Sequence, residues 1–408
     1  MPVDPSHSLA DALLKLDHKN PRYAVDAVDW ILERSRAEGA SDVHFQPTRD
    51  GLEIRRRIDG VLEPVAILPA TIAANVVARL KVLANLLTYK NDIPQEGRIR
   101  APRGDVEIRV STFPTLHGER AAARLFPGSG RYARLADLGL PADLARTIER
   151  LLAETSGAIV LSGPSGSGKS TTIHACLREI ISISQGEHCL MSLEDPVEVA
   201  IEGVSQSQVD SAAGFDLATG LRSLVRQDPD VLAVGEIRDR TTAEITFEAS
   251  LTGRLVLTTF HAGDTSGAIT RLLEMGIEPY LIRGGVLAIV SQRLVRSLCG
   301  CAIDADPTDP AVALGLDLKS ARIATGCDRC GGSGYRDRFP LAELLEPSDE
   351  TIGRAILDRA DRAAIERIAK DKGMITLWDR AVTSIESGRT SAGEIRRVLG
   401  FLGPPKRQ

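Results

Sequence analysis

Residues Leu161–Thr172 read LSGPSGSGKSTT, and the fold of the larger part of the chain follows from how that stretch is read. The spacing Gly163-x-x-x-x-Gly168-Lys169-Ser170 is that of a Walker A loop. An apolar run, AIVLS, precedes it, and STTIHACLREII follows as a helical pattern, so a strand–loop–helix unit is predicted. Glycines let backbone N–H groups turn inward around a phosphate. The following helix adds the partial positive charge of its N-terminus. Lys169 then neutralises the β- and γ-oxygens of a nucleotide and the Ser170 hydroxyl ligates Mg²⁺. Gly163, Pro164, Ser165, Gly166, Ser167, Gly168 and Thr171 complete the cradle.

Outward from this loop, β-type runs alternate with helical stretches: CLMSLE, VLAVGE and RLVLTTF are the next three strands. Such alternation predicts a mainly parallel sheet with helices on both faces. Open sheets of this kind bind ligands at the carboxyl ends of their strands. The acids and the histidine that end these strands are therefore the candidates for acting on the nucleotide. Glu236 ends VLAV, the cluster Glu194, Asp195 and Glu198 ends LMSL, and His261 ends VLTTF. One carboxylate can orient the attacking water. Arg222 and Arg226 stand at i,i+4 spacing, which puts both on one helix face, facing a phosphate or a neighbouring subunit's acid.

Upstream, Arg22–Ala40 reads as an amphipathic helix with Val25, Val28, Ile31 and Leu32 on one side. VHFQP and LEIRRRI read as strands, with Leu52, Ile54, Arg56 and Ile58 on one face of the second and Arg55 and Arg57 on the other. Asp59-Gly60 signals a hairpin into VLEPVAIL. A helix is expected from Thr71 to Thr88 with Ile72, Val76, Leu80, Leu83 and Leu87 buried, followed by strands DVEIRVSTF and RAAARLF. The boundaries expected are an N-terminal segment 1–20, an α+β domain 21–127, a linker 128–140, a phosphate-loop core 141–298, a cysteine segment 299–335 and a C-terminal helical subdomain 336–408.

The 408 residues suit two or three domains, and 43% apolar with 26% charged residues is ordinary for a globular protein. A net charge of −5, from 50 basic and 55 acidic residues, gives no general attraction to phosphate backbones, so no nucleic-acid partner is expected. No apolar run reaches the ~18 residues that span a bilayer. The first twenty residues lack the apolar core of a secretory signal, so a cytoplasmic chain is expected. Six cysteines then argue against a disulfide framework. Cys176 and Cys189 read as core residues. Cys299, Cys301, Cys327 and Cys330 cluster, and four thiolates suit a closed structural zinc site.

The ordered set GPSGSGKST, LEDPVE, LRSLVRQDPDVLAVGEIRD, TFEASLTGRLVLTTFHAGDT and QRLVRSLC resembles the secretion ATPases of type II secretion and type IV pilus systems. These stretches match that family's Walker A, Asp box, Walker B and His box. Upstream, GASDVHFQP, RRRIDG, DIPQEGRI and VSTFPTLHGER resemble its N-terminal domain, and GCDRCGGSGYRDRFPLAELL resembles the cysteine segment of its assembly branch. The likeness runs from about Tyr23 to Val398.

The resemblance implies a RecA-like P-loop NTPase domain, a smaller N-terminal α+β (PAS-like) domain, a cysteine-rich insert and a helical C-terminal tail. It implies a hexameric ring that hydrolyses ATP with Mg²⁺ to drive pilin or pseudopilin assembly, docked on an inner-membrane platform protein. By position, Glu198 is the Asp-box glutamate, Glu236 the Walker B glutamate and His261 the His-box residue, all three catalytic. Arg98, Arg109 and Arg120 fall in the motifs whose arginines reach the nucleotide from the first domain. Two departures stand out. Cys299-x-Cys301 is one residue shorter than the family's C-x-x-C. Only about 20 residues precede the first matching helix, too few for the extra membrane-docking domain of larger relatives. Two other readings accompany assembly: a motor for pilus retraction or DNA uptake, and a nucleotide-binding ring component with little hydrolysis.

Overall fold

In the first part of the chain, side chains that alternate between apolar and charged make strands with one buried face. The computed structural model describes residue 13 and residues 20–100, 107–125, 132–210 and 213–400. Most of the expected N-terminal segment, Phe126 and the start of the expected linker, 128–131, lie outside the described residues. The chain forms two compact units, Met1–Ser129 and Gly130–Gln408.

The first unit comprises α1 (Tyr23–Ala37), β1 (Asp42–Pro47), β2 (Leu52–Ile58), β3 (Val61–Leu68), α2 (Ala70–Leu83), β4 (Gln95–Arg100), β5 (Glu107–Thr115) and β6 (Gly118–Leu125). Its antiparallel sheet has the order β3-β2-β1-β6-β5-β4. Residues of both helices, including Val28, Ile31, Val76 and Leu80, share one core with Val43, Phe45, Leu52, Ile54, Ala121 and Ala123. The Asp59-Gly60 turn has both residues at positive φ, 48° and 80°, as a two-residue hairpin of this twist requires. α2 stops at Leu83 rather than Thr88, because Asn85 turns left-handed at φ 56°, and Leu87 is exposed beyond it. Strand β4 had no counterpart in the sequence reading; QEGRI offers no run of large apolar residues. On the sheet's other face the register sets Arg57, Asp42, Arg124, Arg109 and Arg98 side by side across five strands.

The second unit opens with α3 (Ala142–Leu151), β7 (Gly157–Ser162), α4 (Lys169–Ser184), β8 (Leu190–Glu194), β9 (Val204–Gln208), α5 (Leu217–Leu224), β10 (Val231–Val234), α6 (Arg240–Leu251), β11 (Leu255–Phe260), α7 (Thr265–Glu274), α8 (Pro279–Gly285) and β12 (Val286–Leu298). It continues with β13 (Ile303–Ala305), α9 (Pro310–Ala313), β14 (Ala321–Ile323), β15 (Tyr335–Leu345), α10 (Glu350–Leu357), α11 (Arg362–Asp371), α12 (Leu377–Glu386) and α13 (Ala392–Leu399). The main sheet has the order β15-β12-β7-β11-β10-β8-β9. All its pairs are parallel except β15 with β12.

Every residue of β7, β10 and β11 is buried, as a sheet covered on both faces demands. Residues of α3 and α4 (Leu144, Ile148, Ile173, Cys176) pack on one face, and residues of α5 to α8 (Leu221, Phe247, Ile269, Ile282) on the other. Burial pushes the Cys176 thiol up to about 12. Cys189, expected in the core, is exposed: it precedes β8 at the sheet's rim, where its N–H donates to Asp230 Oδ2 at 2.7 Å. β9, β12 and β15 extend the sheet beyond the strands read from sequence. The helical tail therefore begins with a strand of the nucleotide-binding sheet. No helix among the described residues is long and apolar enough to cross a membrane.

Candidate active site

The phosphate loop leaves the carboxyl end of β7 and enters α4 through glycines at φ 149° (Gly163), 76° (Gly166) and 91° (Gly168). Space demands glycine at Gly163, where backbone stands in the way, and at Gly168 a Cβ would displace the Gln292 amide. A Cβ on Gly163 would lie 2.6 Å from the Gln292 carbonyl oxygen, and one on Gly168 would lie 2.7 Å from Gln292 Nε2. Lys169 is buried, and its Nζ donates to the carbonyls of Gly163 (2.8 Å) and Pro164 (2.9 Å). Burial draws its pKa below the usual lysine value; Glu236 opposes that shift and Arg293 adds to it. Pro164, Ser165, Ser170 and Thr171 are exposed, while the Ser167 hydroxyl is buried with no hydrogen-bond partner among the described residues. A loop of inward N–H groups, a lysine and an accessible Ser170 on the first helical turn fits a nucleotide with its magnesium ion.

Gln292 was missed by sequence reasoning as a site residue. Its Nε2 donates to the Ser167 carbonyl at 2.9 Å, and its Oε1 accepts from Thr172 Oγ1 at 3.0 Å, so it clamps the loop to the helix from β12. Only its place in QRLVRSLC hinted at this.

On the next two strands of the sheet beyond β7, His261 follows β11 and Glu236 follows β10. Adjacent parallel strands bring them to one edge: Ile237 N–H donates to the Thr259 carbonyl at 2.9 Å, and Thr259 Oγ1 donates to the Gly235 carbonyl at 2.8 Å. Glu236 Oε1 lies 3.1 Å from His261 Nε2 and 3.5 Å from Arg238 Nε. Arg238 Nη1 is 3.4 Å from Asp195 Oδ2.

The Asp-box acids separate. Glu194 accepts from Ser192 Oγ (2.6 Å) and Gln206 Nε2 (2.9 Å), with His174 Nε2 at 3.7 Å. Burial raises its pKa, but hydrogen bonds from His174, Ser192 and Gln206 outweigh this and hold it below the usual value. Glu198 stands in the exposed loop beyond, with no hydrogen bond or ion pair among the described residues.

Arg222 and Arg226 do not share a regular α-helical face. α5 ends at Leu224 and tightens into a 3-10 turn, Val225–Gln227, so the α-helical spacing stops between them; both are exposed, and Arg226 Nη2 donates to Ser223 Oγ at 3.3 Å. In the first unit Arg98 pairs across strands with Arg109, and Arg120 Nη2 lies 3.0 Å from His44 Nδ1.

The four clustered cysteines bring their sulfurs within 4.8 Å of one another. Sγ of Cys299 lies 3.9 Å from Cys327, Cys301 is 4.0 Å from Cys330, and Cys330 is 3.8 Å from Cys327. Sulfurs at the corners of a tetrahedron, each about 2.3 Å from zinc, lie about 3.8 Å apart, so the set fits that ion despite the short Cys299-x-Cys301 pair. Burial raises the Cys330 thiol, yet N–H donors from Cys327 (3.1 Å) and Gly334 (3.2 Å) overcome this and bring it to about 6. A thiolate is the ligand form.

The sheet order, the phosphate loop and the acid–histidine pair at one edge define a RecA-like P-loop nucleotide-binding domain, joined to an α+β domain. The family described as Type II/IV secretion system protein matches residues 18–397, and the chain belongs to it. The chain is 38% identical over 378 residues to the type IV pilus assembly ATPase PilB of Thermus thermophilus, covering 90% of this chain and 42% of that one. It is 37% identical over 406 residues to the type II secretion system ATPase E of Vibrio cholerae, covering 97% and 80%. In structure it is similar to the ATPase DotB of Legionella pneumophila, with a TM-score of 0.66 at 21% identity over 97% of each chain.

Proposed function

We infer that the chain is a motor ATPase, working as a hexamer on the cytoplasmic side of an inner-membrane platform protein. It hydrolyses ATP to drive pilin or pseudopilin assembly in a type II secretion or type IV pilus machine. The observation that carries this reading is the convergence of Lys169, Glu236 and His261 on one edge of the parallel sheet, in a chain matched along nearly its whole length by this family. The cysteine cluster supports the assembly branch over retraction, and zinc is its metal.

Magnesium, when bound, neutralises charge on the β- and γ-oxygens. Ser170 ligates it, and Lys169 exchanges its loop carbonyls for phosphate oxygens. Glu236 orients the attacking water and takes its proton, with His261 fixing the carboxylate. Glu194, or Glu198 once its loop closes, holds the water's second hydrogen. Arg98, Arg109 and Arg120 of the first unit, with Arg222 and Arg226, supply cations for the charge that builds on the transferring phosphoryl group. Phosphate release by the purified oligomer, with Lys169→Ala as the control that abolishes binding, tests the reading. Material that neither binds nor cleaves ATP sinks it.

A further inference from the structure

β12 pairs with β7 as far as Ser291 opposite Ser162, so its next residues flank the phosphate loop. Their side chains alternate across the sheet. Gln292 faces α4, as described. Arg293 points to the opposite face and is only 8% exposed. Its Nη1 donates to the Gln292 carbonyl at 2.8 Å. Its Nη2 donates to the carbonyl of Gly263, two residues beyond His261. A Cβ on Gly163 would come within 3.0 Å of Nη1, so the guanidinium also packs against the first glycine of the phosphate loop. One cation thus touches both loops at the site, across the end of β7.

Its recorded partners are backbone carbonyls, and no ion pair joins it to a described carboxylate. The acids whose charge it feels are committed elsewhere. Glu343 accepts from the N–H groups of Thr265 (2.8 Å) and Leu377 (2.8 Å). Asp264 caps α7 through Gly267 N–H (2.7 Å) and pairs with Arg362. Burial draws the Arg293 pKa down, and its charge helps to draw Lys169 down. Two buried cations in one corner, both resting on carbonyl oxygens, favour a polyanion there.

We propose that Arg293 is a positioning residue for nucleotide hydrolysis: it locks the loop carrying His261 to the phosphate loop and sets a fixed positive charge behind Lys169. The proposal rests on the chain being an ATPase. It acts through Gly263 and Gly163 rather than by touching the nucleotide.

Full-length chains carrying Arg293→Gln and Arg293→Lys test it, read by steady-state ATP turnover, ATP and ADP affinities, and melting temperature. Arg293→Gln is expected to lower kcat about 100-fold and to weaken ATP more than ADP, since misplaced groups and lost charge act on the transferred phosphoryl. Arg293→Lys keeps the charge but not the two-loop fork, so ATP affinity stays within about threefold while kcat falls about tenfold. Where the Gln variant fails to fold, the split between kcat and affinity in the Lys variant decides. Wild-type turnover with either folded variant unchanged overturns this proposal alone. A loss in which ATP and ADP weaken equally, in step with melting temperature, also overturns it. Wild-type chain that neither binds nor hydrolyses ATP overturns the functional reading, and this proposal with it.

Discussion

Glu236 and His261 meet across the ends of two adjacent parallel strands, Oε1 to Nε2 at 3.1 Å, with Glu236 less exposed than its partner, 24% against 39%. The pairing ties the loop that follows β10 to the loop that follows β11, so a shift in either loop moves the carboxylate. That geometry holds the carboxylate by a group on a loop that Arg271 and Arg293 in turn fasten through the His261 and Gly263 carbonyls.

Glu236→Gln keeps the side chain's size and removes its basicity. Turnover should drop about 100-fold or more, the scale of lost general-base catalysis. Nucleotide affinity should stay near wild type, because Lys169 and the loop amides are untouched. Phosphate release and nucleotide binding on one preparation check both halves; undiminished release would remove Glu236 from the chemistry.

Gln292→Ala deletes the clamp between Ser167 and Thr172: the Ser167 carbonyl loses its donor, and Thr172 Oγ1 is left with the Gly168 carbonyl at 3.2 Å. Such losses cost about 1–3 kcal/mol each. The expected result is an ATP KM raised about tenfold with a lower melting temperature, since about 1.4 kcal/mol is a factor of ten in affinity. An unchanged KM would show that the loop keeps its shape without the clamp.

Cys301→Ser removes one of the four sulfurs that fit the proposed zinc and should abolish its binding. Elemental analysis is expected to find one zinc per wild-type chain and close to none in the variant, with melting lowered in step. Zinc-free wild-type protein of full stability would leave the thiolates as a purely organic cluster.

Glu394 is 1% exposed and accepts from Arg296 N–H (2.9 Å), Arg296 Nη2 (2.8 Å) and Arg397 Nη2 (2.6 Å). Burial raises its pKa, but the hydrogen bonds of Arg397 and Arg296 outweigh it and leave it below the usual value. A depressed carboxylate adds stability above its unfolded value of about 4.3 and loses it as pH falls through the lower folded value. Wild-type stability should therefore fall across that acid window, while Glu394→Gln should fall less steeply there, since Glu194 and other depressed carboxylates remain, and should be weaker at neutral pH by about 3 kcal/mol, the scale for breaking a buried pair. Melting curves between pH 3 and 7 separate the two (~1 unit steps suffice).

Much of this was legible in the sequence because local patterns carried it. The Walker spacing fixed a strand–loop–helix, and strand ends pointed to Glu236 and His261 before any coordinates. What stayed hidden depends on long-range pairing. β12 and β15 find each other across thirty-odd intervening residues, roughly the span that a cysteine knuckle closes, and no local period announces that. Gln292 and Arg293 become site residues only because β12 outruns β7. β4 lacked apolar alternation, and Cys189 looked like core by residue type alone while sitting on the rim. The tightening of α5 into a 3-10 turn between Arg222 and Arg226 is likewise nothing that their i,i+4 spacing announces.

The edge strand β15 lies antiparallel along β12 from Tyr335 opposite Leu298 to Leu345 opposite Ile289, and the final helices follow its Leu345 end. A pull on those helices along the strand axis loads the whole ladder at once, in shear, rather than unzipping it rung by rung. The terminal helices are joined to the sheet twice, through the β15 ladder and through the apolar packing of α12 and α13 on Val295, Phe339 and Leu341, so a load on them is shared between hydrogen bonds and buried side chains.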